Sequence, residues 1–272
     1  WHRWRSRWGA PVERGASTPC WHGAGRPPHG GDLGEKQVRV SVVIPTHNEA
    51  LSIARVLADL PANIVTEVLV VDSNSSDGTP AIATRMGARV LHEPRRGYGR
   101  ACLTGLANAS SPDVVVFLDG DYSDRPGELP LLLAPILDGR ADIALGSRLG
   151  KHSIHGALPW HASFGNRLAA FLINLLYGLQ ISDLGPFRAG RADVLRQLGL
   201  QENTYGWAVE IILKGTLAGF RVVEVPVSYY PRIGKSKISG TLRGTVGAAW
   251  FILSLIVRYY FRRRNSELPR PA

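Results

Sequence analysis

Residues 113–124 read DVVVFLDGDYSD, and this stretch combines a predicted buried strand with a pair of carboxylates. It begins with a β-branched and aromatic apolar run, which is typical of a strand buried on both faces of a parallel sheet. It then changes to Asp119-Gly120-Asp121, so two carboxylates stand where the strand ends. Oxygen ligands in that position can hold a hard divalent cation such as Mg²⁺ or Mn²⁺. A plain acidic turn has the same pattern, and the buried strand before it favours the metal site.

Predicted strands and helices alternate on both sides of this stretch. The alternation predicts an α/β fold in which a mainly parallel, Rossmann-like sheet is flanked by helices. Such sheets bind ligands at the carboxyl ends of their strands. The further predicted strands are 38–45, 67–72, 88–92 and 141–147, and the helices lie near 49–60, 79–86, 98–109 and 127–137.

The alternation stops after Arg148. The predicted elements there are an apolar helix at 163–179, a short helix, a helix at 205–220, a strand at 221–230 and a helix at 246–264. We expect a domain over 37–240, a membrane-interface helix with a basic tail over 241–272, and a poorly ordered Trp- and Arg-rich extension over 1–36.

Polar segments follow the first two predicted strands. VIPTHNEA (43–50) places Pro45, Thr46 and Glu49 at the end of the first strand, and VVDSNSSDGT (70–79) places Asp72 at the end of the second. A carboxylate such as that of Asp72 can accept hydrogen bonds from a base or a ribose. Asp77, next to Gly78, is explained equally well as a helix cap.

Glycines precede the predicted helix at 98–109. In the segment EPRRGYGR (93–100), Gly97 and Gly99 would allow the backbone to approach a phosphate group, and three arginines add positive charge. A simple glycine turn is the alternative. The segment is not a Walker A loop, because no Gly-Lys-Ser/Thr follows.

Composition and charge exclude several classes. A chain with 44% hydrophobic and 20% charged residues folds rather than staying disordered. Its mean hydropathy of −0.03 is too low for a protein with many membrane spans. Two cysteines, Cys20 and Cys102, exclude a disulfide framework and favour a reducing compartment.

The net charge of +10 is concentrated at one end. Ten basic and two acidic residues lie between Arg221 and the C-terminus. This imbalance favours an anionic partner there, such as membrane headgroups or nucleic acid, and a solvated basic tail is the alternative.

Taken in order, these segments resemble the family 2 glycosyltransferases, which have the GT-A fold, and within them the dolichyl-phosphate mannose/glucose synthase-like branch. The resemblance extends from about residue 39 to residue 243. It implies a nucleotide pocket beside the first two strands and a metal–diphosphate site on Asp119 and Asp121. Together with the glycine segment, the predicted donor-binding set is Pro45, Thr46, Glu49, Asp72, Gly97, Asp119 and Gly120.

The resemblance continues downstream. DLGPFRA (183–189) resembles the family's D-x-x-S-G-F-R stretch and departs from it at Gly185-Pro186, and YGWAVE (205–210) matches a segment whose acidic residue faces the site. RIGKSK (232–237) resembles an R-x-G-x-S-K stretch that contacts phosphates near the membrane. The implied catalytic set is Asp121, Asp183, Arg188 and Glu210. The implied phosphate-binding set is Arg148, Arg232, Lys235, Ser236 and Lys237.

The implied activity is the inverting transfer of a hexose from UDP-glucose or GDP-mannose. A hydroxyl acceptor, on a glycan, glycolipid or small molecule, would need a general base, for which Asp183 and Glu210 are candidates. A polyprenyl or dolichyl phosphate is already anionic and needs positioning more than deprotonation. The many phosphate-capable cations favour the lipid phosphate, although we expect at least one of these arginines merely to pair with a surface acid.

The apolar run VGAAWFILSLIV (246–257) has 12 residues, and a membrane span needs about 20. Aromatic and basic residues follow it, as is typical of an amphipathic helix lying in the membrane interface. We therefore expect a peripheral protein at the cytoplasmic face of the cell membrane. Packing of this helix and of 163–179 in the core or in a homo-oligomer is the alternative.

Two other classes fit the sequence less well. A sugar-1-phosphate nucleotidyltransferase has a related sheet but needs a Gly-rich, Lys-containing loop at the first strand end, which PTHNEA (45–50) is not. A basic nucleic-acid-binding protein would not explain Asp72, Asp119 and Asp121, because these carboxylates repel phosphate unless a metal is present. We expect no nucleic-acid partner.

Overall fold

A computed structural model describes residues 37–149, 160–234 and 242–264. The segment 1–36, the tail 265–272 and the predicted phosphate-binding residues Lys235, Ser236 and Lys237 lie outside these ranges.

Within the described ranges, seven strands form one sheet in the order β3-β2-β1-β4-β6-β5-β7. Six strands run in the same direction, and β6 is antiparallel to both of its neighbours. The sheet is therefore mainly parallel, as expected. The strands are β1 Val40–Thr46, β2 Val65–Asp72, β3 Arg89–His92, β4 Val114–Phe117, β5 Ile143–Ser147, β6 Arg188–Arg191 and β7 Val222–Pro226.

The described ranges also hold eight α-helices, which cover both faces of the sheet. They are α1 Ile53–Ala58, α2 Thr79–Arg85, α3 Tyr98–Asn108, α4 Leu129–Leu137, α5 Trp160–Tyr177, α6 Ala192–Gln197, α7 Trp207–Leu217 and α8 Leu242–Arg264. Helices α1, α2 and α4 pack on one face, and α3, α5, α6, α7 and α8 pack on the other.

The central strand β1 shows why both faces need cover. Val42 and Ile44 pack into the core on one face, whereas Val43 packs into the core on the other, and all three are fully buried. Successive side chains of a strand point to opposite faces, so an uninterrupted apolar run requires helices on both. None of the described helices combines the length and the apolar character needed to cross a membrane.

Two sequence predictions needed correction. Strand β6 was not predicted, because its sequence RAGR lacks the β-branched and aromatic residues that indicate a strand. Its small residues instead allow helix α6 to pack closely, since a Cβ on Gly190 would lie 2.9 Å from the Leu195 side chain. The strand predicted over 221–230 ends at Pro226, and the chain beyond it crosses toward the segment after β4.

The close packing of α3 on β1 gives a test of the core. A Cβ on Gly105 would lie 2.3 Å from Val43 Cγ1. We expect Gly105→Ala to lower the free energy of unfolding by about 1–3 kcal/mol, measured by urea denaturation, because overpacking forces the neighbours to shift. Gly127→Ala is the matched control, since a Cβ there meets only the Asp59 carbonyl oxygen at 3.8 Å. Equal stability of the two variants would contradict this account of the packing.

Candidate functional site

The site is built at the carboxyl end of β4. Asp121, which is 3% exposed, is held in place by its neighbour Ser123. The amide and the hydroxyl of Ser123 donate hydrogen bonds to Asp121 Oδ1 at 2.9 and 2.6 Å. The other carboxylate oxygen, Oδ2, pairs with Arg232 Nη2 at 2.7 Å. The structure thus brings a predicted metal ligand and a predicted phosphate-binding residue into direct contact.

Negative charge accumulates beside Asp121. Burial and the charge of Asp121 raise the pKa of Asp119 to about 7. Burial and the charges of Asp119 and Asp121 raise the pKa of the buried Asp124 well above its usual value. A bound cation would relieve this repulsion, and carboxylate oxygens are suitable ligands for Mg²⁺ or Mn²⁺. The residues therefore fit a divalent metal.

Protein ligands alone do not complete a metal site here. In the described parts of the chain, no three His, Cys, Asp or Glu side chains come close enough together to hold an ion. Mg²⁺ is often bound through one or two carboxylates, with substrate phosphates supplying further oxygens. The pair formed by Asp119 and Asp121 is compatible with that mode of binding.

The ends of β1 and β2 lie next to the carboxylates. Thr46 and Asp72 are both buried and are paired in register, and the Thr46 hydroxyl lies 3.4 Å from Asp72 Oδ1. The Ser75 amide donates to Asp72 Oδ2 at 3.0 Å. The Ser52 hydroxyl donates to the Gly120 carbonyl oxygen at 2.7 Å and links the segment after β1 to the acidic motif.

The same edge of the sheet contains other predicted donor-site residues. Pro45 occupies the register position opposite Val71, and Glu49 receives a hydrogen bond of 3.4 Å from the Ser52 hydroxyl. Asp77 accepts hydrogen bonds from the Ala50 and Thr79 amides, so it fixes the local backbone as a cap would.

The glycine segment before α3 is packed against protein. A Cβ on Gly97, whose φ is +149°, would lie 2.2 Å from the Asn203 carbonyl oxygen, and one on Gly99 would lie 2.2 Å from the Glu202 carbonyl oxygen. The Gly99 amide donates to the Thr204 carbonyl oxygen at 3.1 Å. Close approach of the segment 202–204 is therefore sufficient to explain both glycines, and the phosphate-binding role of Gly97 stays a prediction.

Asp183 and Arg148 form a buried two-pronged ion pair. Arg148 donates from Nε to Oδ2 and from Nη2 to Oδ1 of Asp183, each at 2.7 Å, and its amide also donates to Oδ2 at 2.7 Å. Asn166 on α5 adds a hydrogen bond of 2.6 Å to Oδ1. These bonds outweigh desolvation and hold the pKa of Asp183 below its usual value. Asp183 is fully buried, so this pair is not the pairing with a surface acid that we expected.

Arg188 is a fully buried cation at the start of β6. Its guanidinium donates to the carbonyl oxygens of Ala208 and Gly185 and lies 5.7 Å from the centre of the Trp207 ring. The described residues offer it no carboxylate ion pair, and burial lowers its pKa. The nearby charge of Asp119 acts on it favourably.

Glu210 lies at the first turn of α7, and its carboxylate is fully engaged. It accepts hydrogen bonds from the Gln201 and Glu202 amides at 2.9 and 2.8 Å and from the Tyr259 hydroxyl at 3.0 Å. It also pairs with Lys214 at 2.8 Å. These contacts connect α7 to α8, which fits a positioning role better than that of a general base.

Three residues of the site were not predicted from sequence. Asp124 lies among the carboxylates, Asn166 orients Asp183, and Tyr229 stacks with the Arg148 guanidinium 5.2 Å from its ring centre. Asp124 belongs to the same acidic segment as Asp121, so its position was a usable signal. Asn166 and Tyr229 lie in segments whose sequence gives no such indication.

Comparisons with known proteins agree with this geometry. A family model described as glycosyl transferase family 2 matches residues 41–199. An uncharacterized glycosyltransferase of Mycobacterium tuberculosis is 40% identical over 219 residues, covering 79% of this chain and 98% of the relative. A dolichyl-phosphate hexose transferase of Haloferax volcanii is 35% identical, covering 73% and 86%, and an undecaprenyl-phosphate mannosyltransferase of Micrococcus luteus is 33% identical, covering 78% and 91%.

The fold is also shared with a solved structure. Glucosyl-3-phosphoglycerate synthase from Mycobacterium tuberculosis, in complex with Mn²⁺, UDP and phosphoglyceric acid, matches with a TM-score of 0.67 and 24% identity, covering 90% of this chain and 87% of that one. At this identity the match shows the fold alone, and it confirms the GT-A fold expected from the resemblance.

The Asp183–Arg148 pair makes stability depend on pH. Breaking a buried pair leaves one charge uncompensated, so we expect Asp183→Asn to lower the free energy of unfolding by about 3–5 kcal/mol at pH 7. Because the folded-state pKa of Asp183 is lowered, this contribution is complete above the unfolded pKa of about 4 and is lost as pH falls below it. Urea denaturation between pH 3 and pH 7 measures both effects.

Asp193→Asn is the control for that experiment. Asp193 pairs with Arg191 at the surface, where ion pairs contribute only about 0–1 kcal/mol. A difference between wild type and Asp183→Asn that stays constant down to pH 3 would contradict the role given to the buried pair.

Proposed function

Because the chain belongs to glycosyltransferase family 2, we propose that it transfers a hexose from a nucleotide sugar to a polyprenyl phosphate. One observation carries the proposal: buried carboxylates at the strand ends stand beside three arginines of the same site, Arg148, Arg188 and Arg232. Relatives whose names specify dolichyl phosphate or undecaprenyl phosphate as the acceptor support this choice.

The donor would bind across the carboxyl ends of β1, β2 and β4. Asp119 and Asp121 would hold Mg²⁺ or Mn²⁺ together with the diphosphate, and the metal would stabilise that leaving group by neutralising its charge. Asp72 and Thr46, which contact each other, would orient the nucleoside. UDP-glucose and GDP-mannose are the donors that we propose to test.

The engagement of both predicted bases supports an anionic acceptor. Among the described residues, both sequence candidates for the base are engaged, Asp183 by Arg148 and Glu210 by two amides, Lys214 and Tyr259. A hydroxyl acceptor needs a group that takes its proton, whereas a phosphate oxygen attacks without one. The site therefore favours a phosphate acceptor that is held by cations.

Helices α5 and α8 pack against each other and would form the membrane-binding surface. Each exposes apolar side chains with the spacing i, i+7 and i+11, which places them on one face of its helix. These side chains are Phe164, Phe171 and Leu175 on α5, and Trp250, Val257 and Phe261 on α8. We propose that this apolar face lies in the headgroup region at the cytoplasmic side of the membrane, where the acceptor's phosphate is found.

The turnover experiment uses UDP-glucose or GDP-mannose with Mg²⁺ or Mn²⁺, in the presence and absence of a short polyprenyl phosphate. We expect nucleotide release that depends on the lipid phosphate, with the labelled hexose extracted into organic solvent. We expect Asp121→Asn to lower turnover more than about 100-fold, since it weakens charge stabilisation at the diphosphate. Asp138→Asn, which changes an exposed acid paired with Arg140, serves as the control.

Two outcomes of that experiment would contradict the proposal. Donor turnover that ignores the lipid phosphate would move the acceptor to a hydroxyl group. Failure of wild type to bind or turn over any nucleotide sugar would remove the proposed activity altogether.

The membrane face is tested by sedimentation with anionic phospholipid vesicles. We expect the double substitution Phe171→Ser and Trp250→Ser to lower the partition coefficient at least about tenfold. The variant no longer transfers two large apolar side chains from water into the membrane interface. Leu131→Ser, which changes an exposed apolar residue on α4, is the matched control. Unchanged sedimentation of the double variant would overturn the membrane face and leave the transfer reaction untouched.

A further inference from the structure

Asp124 is a buried carboxylate without a hydrogen-bond partner. It is 1% exposed, and in the described parts of the chain neither of its oxygens accepts a hydrogen bond. Buried polar groups in native proteins are nearly always paired, because a lone buried carboxylate costs free energy. Asp124 is therefore available to a ligand that donates a hydrogen bond.

The backbone fixes Asp124 inside the site. Its main chain forms an isolated antiparallel bridge with Tyr229, and the Tyr230 amide donates to the Ser123 carbonyl oxygen at 2.9 Å. The charges of Asp119 and Asp121 act on its carboxyl group unfavourably, and that of Arg148 acts favourably. The carboxylate thus stands in the same electrostatic environment as the proposed diphosphate site.

The polar groups near Asp124 limit the chemical class of ligand that could bind there. A phosphate group only accepts hydrogen bonds at its ionised oxygens and would be repelled by a carboxylate. Two hydrogen-bond donors of the site are also buried without partners, Arg188 Nε and Trp207 Nε1. The charges of Arg188 and Asp124 both act on the Tyr98 hydroxyl, and the Tyr98 ring lies 6.1 Å from that of Trp207. A ligand that both donates and accepts, such as a polyhydroxylated sugar ring, matches this set.

We infer that Asp124 accepts a hydrogen bond from a hydroxyl group of the donor hexose and thereby takes part in choosing the sugar. The inference rests on the proposed function, since it needs a hexose beside the diphosphate. A site that hydrogen-bonds a substrate hydroxyl discriminates strongly, because a sugar without that hydroxyl leaves the buried group unpaired.

The test compares sugar nucleotides with free nucleotides. Calorimetric titration in the presence of Mg²⁺ measures the affinities of UDP-glucose, GDP-mannose, UDP and GDP for wild type, Asp124→Asn and Asp124→Ala. We expect Asp124→Ala to weaken binding of the preferred sugar nucleotide about tenfold or more while the matching free nucleotide binds as before. Asp124→Asn keeps one acceptor oxygen, so its loss is smaller.

The melting temperature separates this role from a structural one. We expect Asp124→Ala to melt no lower than wild type, because the substitution removes an unpaired buried carboxylate. The matched control is Asp142→Ala, which removes a buried carboxylate paired with Arg221 and Arg191 at the start of β5. This control should melt lower and keep wild-type affinity for the sugar nucleotide.

The remaining outcomes are contrary ones. An equal loss for UDP and UDP-glucose would assign Asp124 to the diphosphate or metal, and unchanged binding of all four ligands would remove it from the site; either result overturns the inference alone. A wild-type chain that binds no nucleotide would overturn the proposed function as well.

Discussion

A parallel sheet delivers the carboxyl ends of its strands to one edge, and in this chain that edge is acidic. Asp72 follows from β2, and Asp119, Asp121 and Asp124 follow from β4. Carboxylates this close and this buried repel one another, as the raised pKa values of Asp119 and Asp124 show. Basic side chains from other parts of the chain offset this repulsion.

Three arginines from different parts of the fold supply the compensating positive charge. Arg148 pairs with Asp183, Arg232 pairs with Asp121, and the buried Arg188 has two backbone carbonyls as its hydrogen-bond partners. Positive charge is therefore already present where a diphosphate and a second phosphate would meet. Such preorganised charge needs little rearrangement when the substrates arrive.

The sequence was sufficient for the elements that depend on a strong local pattern. The apolar runs of β1, β2 and β4 gave the sheet, and the acidic residues after β4 gave the centre of the candidate site, because both signals are continuous in the chain. Strand β6 was not predicted, because the small residues of RAGR give no strand signal and the strand is formed by pairing with β4 and β5. For the glycines at 97 and 99 the sequence left a ligand and a simple turn open, and it gave no sign of the close approach of the segment 202–204.

The ion pairs were beyond prediction for a different reason. Arg148 and Asp183 are 35 residues apart. No local sequence pattern distinguishes an arginine that binds a phosphate ligand from one that pairs with a carboxylate of the protein. The same holds for Glu210, whose partners come from α7, from the loop before it and from Tyr259 on α8. Long-range pairing decides these roles, and only the three-dimensional structure shows it.

The segment after β7 limits the distance between the candidate site and the start of α8. The Ile233 amide donates to the Asp121 carbonyl oxygen at 2.9 Å, so the chain is attached to the acidic segment there, and α8 begins at Leu242. Successive Cα atoms are about 3.8 Å apart, which keeps the start of α8 within roughly 35 Å of that attachment. If α8 lies in the headgroup layer as proposed, the acidic edge of the sheet would be tethered to the bilayer surface. A lipid phosphate could then be used while its chain remains in the membrane, and the enzyme would search for it in two dimensions rather than three.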